Sequence, residues 1–337
     1  MKINKLIITG HRGFIGTNFL NLIADKKYQY YGIDALYKGA NKFNTIGIKN
    51  IIKQYNYCLS DDKLYQDLIN DFNNFNDIAI IHFAAYSHVD DSIKNPIDLV
   101  NINIKSTHKL AEFAARKNIP FILISTDEVL GSLYDNDLPS SINDRLNPRN
   151  PYSYSKASCE MLIHSLQHQY PNWKVCITRC VNNFGEYQDP TKLIPVCIKN
   201  IINNKKIPIY GQGLQRRSWV SVQIHNKIVL NIIEKIFNSN EYLNLKYCNI
   251  FHIGSIYELS NIDLVVHICN IMNVDPNKFI QFIPDPRGNS HDYRYSLSSK
   301  ETLYTFGNNC LDFDFNNALK NTINFYKENY NNDMWYV

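Results

Sequence analysis

The fold is decided by residues 6–16, which read LIITGHRGFIG. The apolar run at 6–8 predicts a buried strand, and the residues after the last glycine predict a helix that ends at about Ala24. Glycine lets the backbone approach a pyrophosphate closely, and the amino terminus of a helix directs its free N–H groups at the same group. The turn is therefore predicted to hold a dinucleotide through Gly10, Gly13, Phe14, Ile15 and Gly16.

An acid after the second predicted strand indicates which dinucleotide is bound. Asp34 follows Tyr31-Gly32-Ile33, about twenty residues after the glycine turn. Its carboxylate can accept hydrogen bonds from the adenosine ribose hydroxyls and would repel a 2′-phosphate. We therefore expect NAD as the cofactor and not NADP.

Strands and helices alternate beyond this unit. Strands are predicted at 78–82, 121–125 and 175–178, and a long helix is predicted from Pro96 to about Lys117. Ala84 and Ala85, which follow the strand at 78–82, are small enough for a cofactor to lie against the backbone. Alternation of this kind is typical of a doubly wound sheet. The predicted class is α/β, a Rossmann-type doubly wound parallel sheet with a smaller, partly discontinuous substrate domain.

The domain boundaries follow from a change in composition after Arg179, where turn-forming residues become frequent. A helix at 224–237 and a strand at 250–253 are apolar and are expected to return to the main sheet. We therefore assign 1–183 and about 224–254 to the NAD-binding domain. The remaining 184–223 and 255–337 are assigned to the substrate domain, with helices from about Lys192 and at 312–329.

Composition excludes several classes of protein. The chain has 337 residues, 45% of them apolar, and no apolar run approaches the ~20 residues that span a bilayer. The start has no signal-peptide pattern, so a cytoplasmic protein is expected. Eight cysteines without Cys-x-x-Cys pairs and ten histidines without ligand spacing indicate neither disulfides nor a metal site. A net charge of +4 without basic clusters argues against nucleic-acid binding and suits a small anionic substrate.

Two segments carry candidate catalytic residues. Thr126, Asp127 and Glu128 follow the strand at 121–125, at the edge where open parallel sheets bind ligands. Adjacent carboxylates can act as acid and base if their surroundings separate their pKa values. Tyr152 and Lys156 share one face of a predicted helix, so the ammonium is expected to lower the pKa of the phenol and make it a base.

Each segment also has an ordinary interpretation. An Asp-Glu pair is most often a solvated turn, and Tyr-x-x-x-Lys alone is a weak pattern. Because both follow a dinucleotide-binding turn in the same chain, we favour the catalytic interpretation.

On these motifs the chain resembles the extended short-chain dehydrogenases/reductases, and among them the nucleoside-diphosphate-glucose 4,6-dehydratases of the dTDP-glucose or UDP-glucose type. The matching segments are TGHRGFIG at 9–16, HFAAYSHVDDS at 82–92, STDEVLG at 125–131, PYSYSKAS at 151–158, RCVNNFGEYQDPTKLIP at 179–195, the stretch 208–219, and HDYRY at 291–295. The Thr-Asp-Glu triplet is the specific part, because the glycine turn and Tyr-x-x-x-Lys fit epimerases equally well.

The resemblance implies a role for each catalytic residue. Tyr152 would be the base at the sugar C4 hydroxyl, with Lys156 as its partner and a nicotinamide-ribose contact. Thr126 would bond the C4 oxygen, Asp127 would be the general acid, and Glu128 the general base. The implied reaction is oxidation at C4, loss of water across C5 and C6, and hydride return to C6.

The resemblance also implies binding residues. Leu59 joins the cofactor contacts. The substrate contacts are Ser87, Thr126, Asn183, Lys192, Leu193, Pro208, Tyr210, Arg217, Arg287, Arg294 and Tyr295, and the choice between Arg287 and Arg294 for the pyrophosphate stays open. Two other functions compete: an NAD-dependent nucleotide-sugar 4-epimerase, against which Asp127-Glu128 argues, and a catalytically silent sugar-nucleotide-binding protein.

Four departures from the family pattern bear on the site. His11-Arg12 stands where two small residues are usual, so a large side chain must leave the pyrophosphate turn, and Arg12 is a candidate phosphate contact. Tyr86 stands where Glu is frequent, and Cys58 where an Asp often bonds the adenine amino group. The run at 285–290 is longer than the usual Arg-Pro-Gly.

A homodimer is also implied, with helices around 103–117 and 152–170 paired with their symmetry mates in a four-helix bundle. The apolar side chains that would serve are Leu110, Phe113, Met161 and Leu166. Each of them fits an ordinary core position equally well.

Overall fold

The computed structural model describes residues 2–37, 40–41, 51–239, 249–288 and 291–329. Its strands are β1 Lys5–Thr9, β2 Gln29–Ile33, β3 Ile51–Tyr55, β4 Ile78–His82, β5 Phe121–Thr126, β6 Val175–Cys180, β7 Asn182–Phe184, β8 Ile207–Tyr210, β9 Arg216–Ser221, β10 Asn249–Ile253, β11 Glu258–Ser260, β12 Ile280–Ile283 and β13 Arg294–Tyr295. Its α-helices are α1 Phe14–Ile23, α2 Asp62–Asp71, α3 Val89–Lys94, α4 Pro96–Leu99, α5 Ser106–Arg116, α6 Pro151–Gln169, α7 Leu193–Ile202, α8 Val222–Asn231, α9 Asn261–Ile271, α10 Pro276–Phe279, α11 Lys300–Phe306 and α12 Phe315–Glu328.

The central sheet has seven strands in the order β10-β6-β5-β4-β1-β2-β3, and every pair is parallel. The chain winds outward from β1 to β3 on one side and from β4 to β10 on the other. The order therefore reverses between β1 and β4, where a doubly wound sheet binds its ligand. The predicted Rossmann-type fold is confirmed.

The inner strands β1, β4, β5 and β6 are buried on both faces and are mostly apolar, whereas the edge strand β3 is partly exposed. Successive side chains point to opposite faces, so Leu6 and Ile8 belong to one core and Ile7 to the other. Helix α1 adds Phe19 to the first core, and α2 adds Leu64 to the second. These cores hold the carboxyl ends of β1, β4 and β5 side by side, and those ends carry the candidate site.

A second group of elements lies beyond the central sheet. Strand β9 pairs with β7, β11 and β13, and β8 pairs with β12. A third apolar core joins α7, α9 and α12 to these strands. As the sequence indicated, β10 pairs with β6 in the main sheet, and α8 packs against α1. The boundaries at 183, 224 and 254 stay a prediction.

The helix predicted from Pro96 to Lys117 is interrupted. Pro96 occupies the first position of α4, where its missing N–H costs nothing. A π-helical turn, Val100–Lys105, then separates α4 from α5. Asn103 in this turn bonds the backbone of Tyr86 and the hydroxyl of Ser155, so the irregular turn serves a tertiary contact. Among the described residues, no helix has the length and apolarity needed to cross a membrane.

Candidate active site

A cavity of about 330 Å³ lies at the carboxyl ends of β1, β4 and β5. Every residue predicted to bind the cofactor lines it: Gly10, Gly13, Phe14, Ile15, Gly16, Asp34, Leu59, Ala84, Ala85, Tyr152 and Lys156. The predicted catalytic residues Thr126, Asp127 and Glu128 line it too, as do Ser87, Asn183 and Lys192 from the substrate set. One cavity therefore joins the dinucleotide turn to the candidate acids and bases.

The glycine turn has the close approach that a dinucleotide requires. Gly10 has φ +67°, and a Cβ built there would lie 2.7 Å from the backbone of Ala84. A Cβ on Gly16 would collide with the carbonyl oxygen of Gly10. Helix α1 begins at Phe14, so its free N–H groups lie at the turn. These residues fit a dinucleotide pyrophosphate.

Asp34 is fixed in place at the end of β2. Its Oδ2 accepts the backbone N–H of Arg12 at 3.0 Å, and its Oδ1 accepts that of Leu36 at 2.8 Å. The side chain is buried but lines the cavity. A carboxylate held in this way fits a ribose diol.

The bulky pair after Gly10 leaves the turn open. The His11 ring is buried against β2, where a Cβ on Gly32 would lie 2.6 Å from it. Burial lowers the pKa of His11, so the ring is neutral near pH 7. The Arg12 guanidinium donates to the side chain of Gln54 on β3. Among the described residues neither side chain lines the cavity.

The other two departures also have local partners. Cys58 lines the cavity with its Sγ 3.1 Å from Ser60 Oγ. The Tyr86 hydroxyl donates to Asp91 Oδ2 at 3.2 Å. The fourth departure is the segment 285–290, and its residues 289 and 290 lie outside the described part of the chain.

The Thr126-Asp127-Glu128 segment is not a solvated turn. It starts a single 3₁₀ turn, Asp127–Leu130, in which Asp127 is only 3% exposed. Thr126 Oγ1 donates to Asp127 Oδ1 at 3.1 Å and accepts the Glu128 N–H at 3.3 Å. Burial, followed by the charge of Glu128, raises the pKa of Asp127 to about 7. A carboxyl in this state can hold a proton at neutral pH and release it to a leaving group.

Glu128 lies beside Asp127 in a different environment. Burial raises the pKa of Glu128, but a hydrogen bond from Asn150 Nδ2 at 3.0 Å and the charge of Arg217 oppose this rise. The neighbouring Asp127 Oδ2 has no hydrogen-bond partner within the described ranges. The two carboxyls are therefore inequivalent, as an acid and base pair must be.

Helix α6 carries Tyr152 in its first turn and Lys156 one turn later, and both line the cavity. The prediction that Lys156 lowers the pKa of Tyr152 is wrong for this structure. Burial raises the pKa of Tyr152 well above its usual value, and the charge of Glu128 adds to this effect. Burial also lowers the pKa of Lys156, so desolvation outweighs the attraction expected from their spacing.

The predicted arginine contacts separate into two kinds. Arg294 is bound to Glu258 through Nε at 2.8 Å and donates to the carbonyls of Tyr134 and Asp137. Among the described residues, Arg287 has one ion pair, from its Nε to Asp90 Oδ1 at 2.5 Å, and its guanidinium lies 5.7 Å from the Tyr210 ring centre.

As far as the structure describes the chain, the other substrate candidates do not line the cavity: Leu193, Pro208, Tyr210, Arg217, Arg287, Arg294 and Tyr295. Arg217 donates to three backbone carbonyls and stacks 4.5 Å from the ring centre of Tyr295. Leu193 begins α7, and Pro208 and Tyr210 belong to β8.

Sequence analysis missed two asparagines of the site. Asn103 links the loop after β4 to α6 through Tyr86 and Ser155. Asn150 caps α6 and bonds Glu128. An Asn directly before Pro151 is a recognisable helix start, so the cap could have been found. No pattern among neighbouring residues indicates that the Asn150 side chain contacts Glu128.

Comparison with known proteins places the chain in a family. Residues 6–246 match the model of the NAD dependent epimerase/dehydratase family. The chain is 30% identical over 329 residues to a dTDP-glucose 4,6-dehydratase of Mycolicibacterium smegmatis, covering 96% of this chain and 94% of that protein. The chain belongs to the NAD dependent epimerase/dehydratase family.

Solved structures agree with this membership. DesIV, a dTDP-glucose 4,6-dehydratase from Streptomyces venezuelae crystallised with NAD bound, matches with a TM-score of 0.85 at 28% identity and 98% coverage of both chains. A UDP-glucose 4-epimerase from Thermus thermophilus matches with a TM-score of 0.83 at 16% identity, covering 96% of this chain and 99% of that one. The second likeness shows a shared fold only.

Proposed function

We propose that the protein is an NAD-dependent nucleoside-diphosphate-glucose 4,6-dehydratase, a hydro-lyase that acts on dTDP-glucose or UDP-glucose. The product is the 4-keto-6-deoxy sugar, a step towards deoxysugars such as rhamnose. Similarity to dTDP-glucose 4,6-dehydratases over nearly the whole chain supports this proposal.

The observation that carries the proposal is the presence of two unlike carboxyls beside the tyrosine and lysine. An epimerase needs a base for one hydroxyl, which Tyr152 with Lys156 can supply. Removal of water also needs a base for C5–H and an acid for the departing hydroxyl. Asp127 and Glu128 line the same cavity and differ in burial and hydrogen bonding, so they can divide these two tasks.

Each residue then has one task. When bound, NAD supplies the acceptor for the C4 hydride and the donor for its return to C6. Tyr152 takes the C4 hydroxyl proton, and Lys156 lies one turn further along α6 in the same cavity. Thr126 bonds the C4 oxygen, for which its hydroxyl must turn away from Asp127 Oδ1. The ketone acidifies C5–H, Glu128 removes that proton, and Asp127 protonates the C6 hydroxyl, which leaves as water. C5 is reprotonated when the hydride returns to C6.

For the substrate pyrophosphate we propose Arg287 as the main cation, and not Arg294. The four contacts of Arg294 tie it to Glu258 and to backbone carbonyls. Arg287 pairs with the carboxylate of Asp90, which a diphosphate can replace. Lys192, whose ammonium donates to the carbonyl of Ser87, is the second candidate cation.

The proposal is tested by incubating the protein with dTDP-glucose and with UDP-glucose and adding alkali. A 4-keto-6-deoxy sugar gives an alkali-induced absorbance, whereas a 4-epimerase gives only the galactose isomer and a silent binding protein returns the substrate. Both sugars should react, because the thymine methyl group alone discriminates by only about 1–3 kcal/mol. A ratio of specificity constants beyond about a thousandfold would show a contact that reads the ribose 2′-hydroxyl. Absence of the absorbance with both would refute the dehydratase.

We also propose a homodimer, now through a set of side chains that keeps only Met161 of the four named from the sequence. Leu110 and Leu166 are core residues, and Phe113 packs against the same core. The exposed apolar side chains on the face made by α3, α4, the π-turn and α6 are Ile93, Ile97, Val100, Tyr154 and Met161. Met161→Glu should yield monomers in sedimentation at micromolar concentration, whereas Ile256→Glu, at an apolar position elsewhere that is even more exposed, should not.

We keep the division into an NAD-binding domain, 1–183 and about 224–254, and a sugar-nucleotide domain formed by the rest. A cytoplasmic location is proposed as well. All cysteines in the described ranges are unpaired, as is usual in a reducing compartment.

A further inference from the structure

Asn150 makes two contacts at once, and the reaction scheme above uses neither. Its Oδ1 accepts the backbone N–H of Ser153 at 2.9 Å, while Ser153 Oγ accepts the backbone N–H of Asn150 at 3.2 Å. These two bonds form a capping box at the start of α6. Its Nδ2 donates to Glu128 Oε2 at 3.0 Å. The side chain is 7% exposed, so water competes little for either contact.

The direction of both contacts follows from chemistry. A backbone N–H can only donate, so the amide oxygen of Asn150 must face Ser153. The amide nitrogen must then face the other way, toward a carboxylate that can only accept when ionised. The cap therefore sets the donor that meets Glu128. Because α6 also carries Tyr152, one residue connects the elimination base to the helix of the oxidation base.

Glu128 is surrounded by charged and titratable groups from several elements. The cations are Arg217 on β9, Lys192 before α7 and Arg287. The acids and phenols are Asp127 beside it, Tyr152 on α6, Asp292, and Tyr295 on β13. Among the influences that lower the pKa of Glu128, the hydrogen bond from Asn150 is the largest and the charge of Arg217 follows it.

We propose that Asn150 is a positioning residue for the elimination step, which holds the Glu128 carboxylate ionised and in one orientation relative to the helix that carries Tyr152. This inference rests on the proposed function, in which Glu128 takes the C5 proton. Asn150 itself needs no contact with substrate.

The chain allows a variant that removes this contact and keeps the cap. Serine caps helices about as well as asparagine, so Asn150→Ser retains the bond to the Ser153 N–H but has no amide for Glu128. Asn150→Asp also caps, and it places a second carboxylate beside Glu128. If either variant folds poorly, the other still tests the contact. Asn150→Ala loses both cap and donor and should melt at a lower temperature than either.

The first measurement needs no substrate. In protein labelled with ¹³C at the glutamate carboxyls, the Glu128 signal is identified by its loss in Glu128→Gln. The pKa of Glu128 should rise by about one pH unit in Asn150→Ser, the size expected for a lost hydrogen bond to a charged acceptor. It should rise further in Asn150→Asp. An unchanged titration in both would show that Asn150 is only a cap, and the inference would be overturned.

The second measurement uses dTDP-glucose. Asn150→Ser should lower kcat for product with KM unchanged, and the loss should be greatest at low pH, where Glu128 is then protonated. The acid limb of the kcat profile should move up by the same pH unit, while reduction of the bound nicotinamide keeps its rate. If the wild type forms no keto sugar while the carboxyl titration still shifts, the proposed activity fails and the hold of Asn150 on Glu128 stands.

Discussion

The cofactor half and the sugar-nucleotide half of the site differ in the kinds of chemical groups that form them. The cofactor half, residues 10, 13–16, 34, 58–59 and 83–85, is formed mainly by backbone and small side chains in fixed contact, such as Gly10 against Ala84. The sugar-nucleotide half consists of polar and charged side chains, several of which already have partners in the protein: Ser87, Asn183, Gln188, Asp189 and Lys192 line the cavity, and Arg217 and Arg287 interact electrostatically with Glu128 from outside the lining. Arg287 with Asp90 is the main example.

This difference decides how each half can respond to its ligand. A backbone surface cannot rearrange cheaply, so the cofactor half must be complete before binding. A partly exposed ion pair contributes only about 0–1 kcal/mol, so Arg287 can exchange Asp90 for a phosphate at small cost. The cofactor half is thus a rigid, preformed binding surface. In the sugar-nucleotide half, an ion pair within the protein is replaced by a contact with the phosphate of the ligand.

The largest effect is expected where the halves meet, at Tyr152. Tyr152→Phe removes the group that takes the C4 proton, so kcat should fall by at least about 10²–10⁴. Mixing with dTDP-glucose should produce no absorbance of reduced nicotinamide. Melting temperature and bound nucleotide should stay at wild-type values. Appearance of reduced nicotinamide would show that another base starts the cycle.

Glu128→Gln should stop the reaction one stage later. The side chain keeps its size and still accepts from Asn150, but it cannot remove the C5 proton. Reduced nicotinamide should accumulate in a single turnover while product formation slows by about 10²–10⁴. In Asp127→Asn, exchange of the C5 proton with solvent should persist because Glu128 remains, although the losses of two coupled carboxyls need not add. If Glu128→Gln shows neither accumulation of reduced nicotinamide nor slowed elimination, Glu128 is not the base that removes the C5 proton.

The rigidity of the cofactor half is tested by Gly10→Ala, with Gly211→Ala as its control. Both glycines have positive φ, but a Cβ at Gly10 meets the Ala84 backbone at 2.7 Å, whereas one at Gly211 meets nothing within 4 Å. Gly211→Ala should cost about 1–2 kcal/mol of stability and leave NAD binding intact. Gly10→Ala should in addition weaken NAD binding by at least about tenfold, which corresponds to 1.4 kcal/mol. Equal NAD affinity in both variants, measured by calorimetry, would show that the turn adapts.

The smallest effect separates two arginines. Arg287→Met should raise KM for dTDP-glucose by about ten- to a hundredfold, the range of a lost charge-assisted bond of about 1.5–3 kcal/mol, with little change in melting temperature. Arg294→Met should instead lower the melting temperature, because it leaves the half-buried Glu258 with one fewer partner. The reverse pattern would make Arg294 the phosphate contact.

The sequence by itself determined the parts of this protein that depend on local spacing. Apolar runs between helical stretches predicted six of the seven strands of the central sheet, but not β3, Ile51–Tyr55, which contains Lys53 and Gln54. The glycines and Asp34 predicted the dinucleotide turn, because the close approach and the strand end are encoded within a few neighbouring residues. The candidate catalytic residues were named from two short motifs, and all of them line one cavity.

Only the tertiary structure decided the electrostatic state of the site. The pKa of Tyr152 rises because distant elements bury it and place Glu128 near it, which the spacing to Lys156 alone did not reveal. The same holds for the choice between Arg287 and Arg294, which depends on Asp90 and Glu258 far away in the chain. The contact between Asn150 and Glu128 likewise spans separate elements. Burial, charge pairing and hydrogen bonding between separate elements leave no regular spacing of residues in the sequence. They can therefore be identified only in the folded chain.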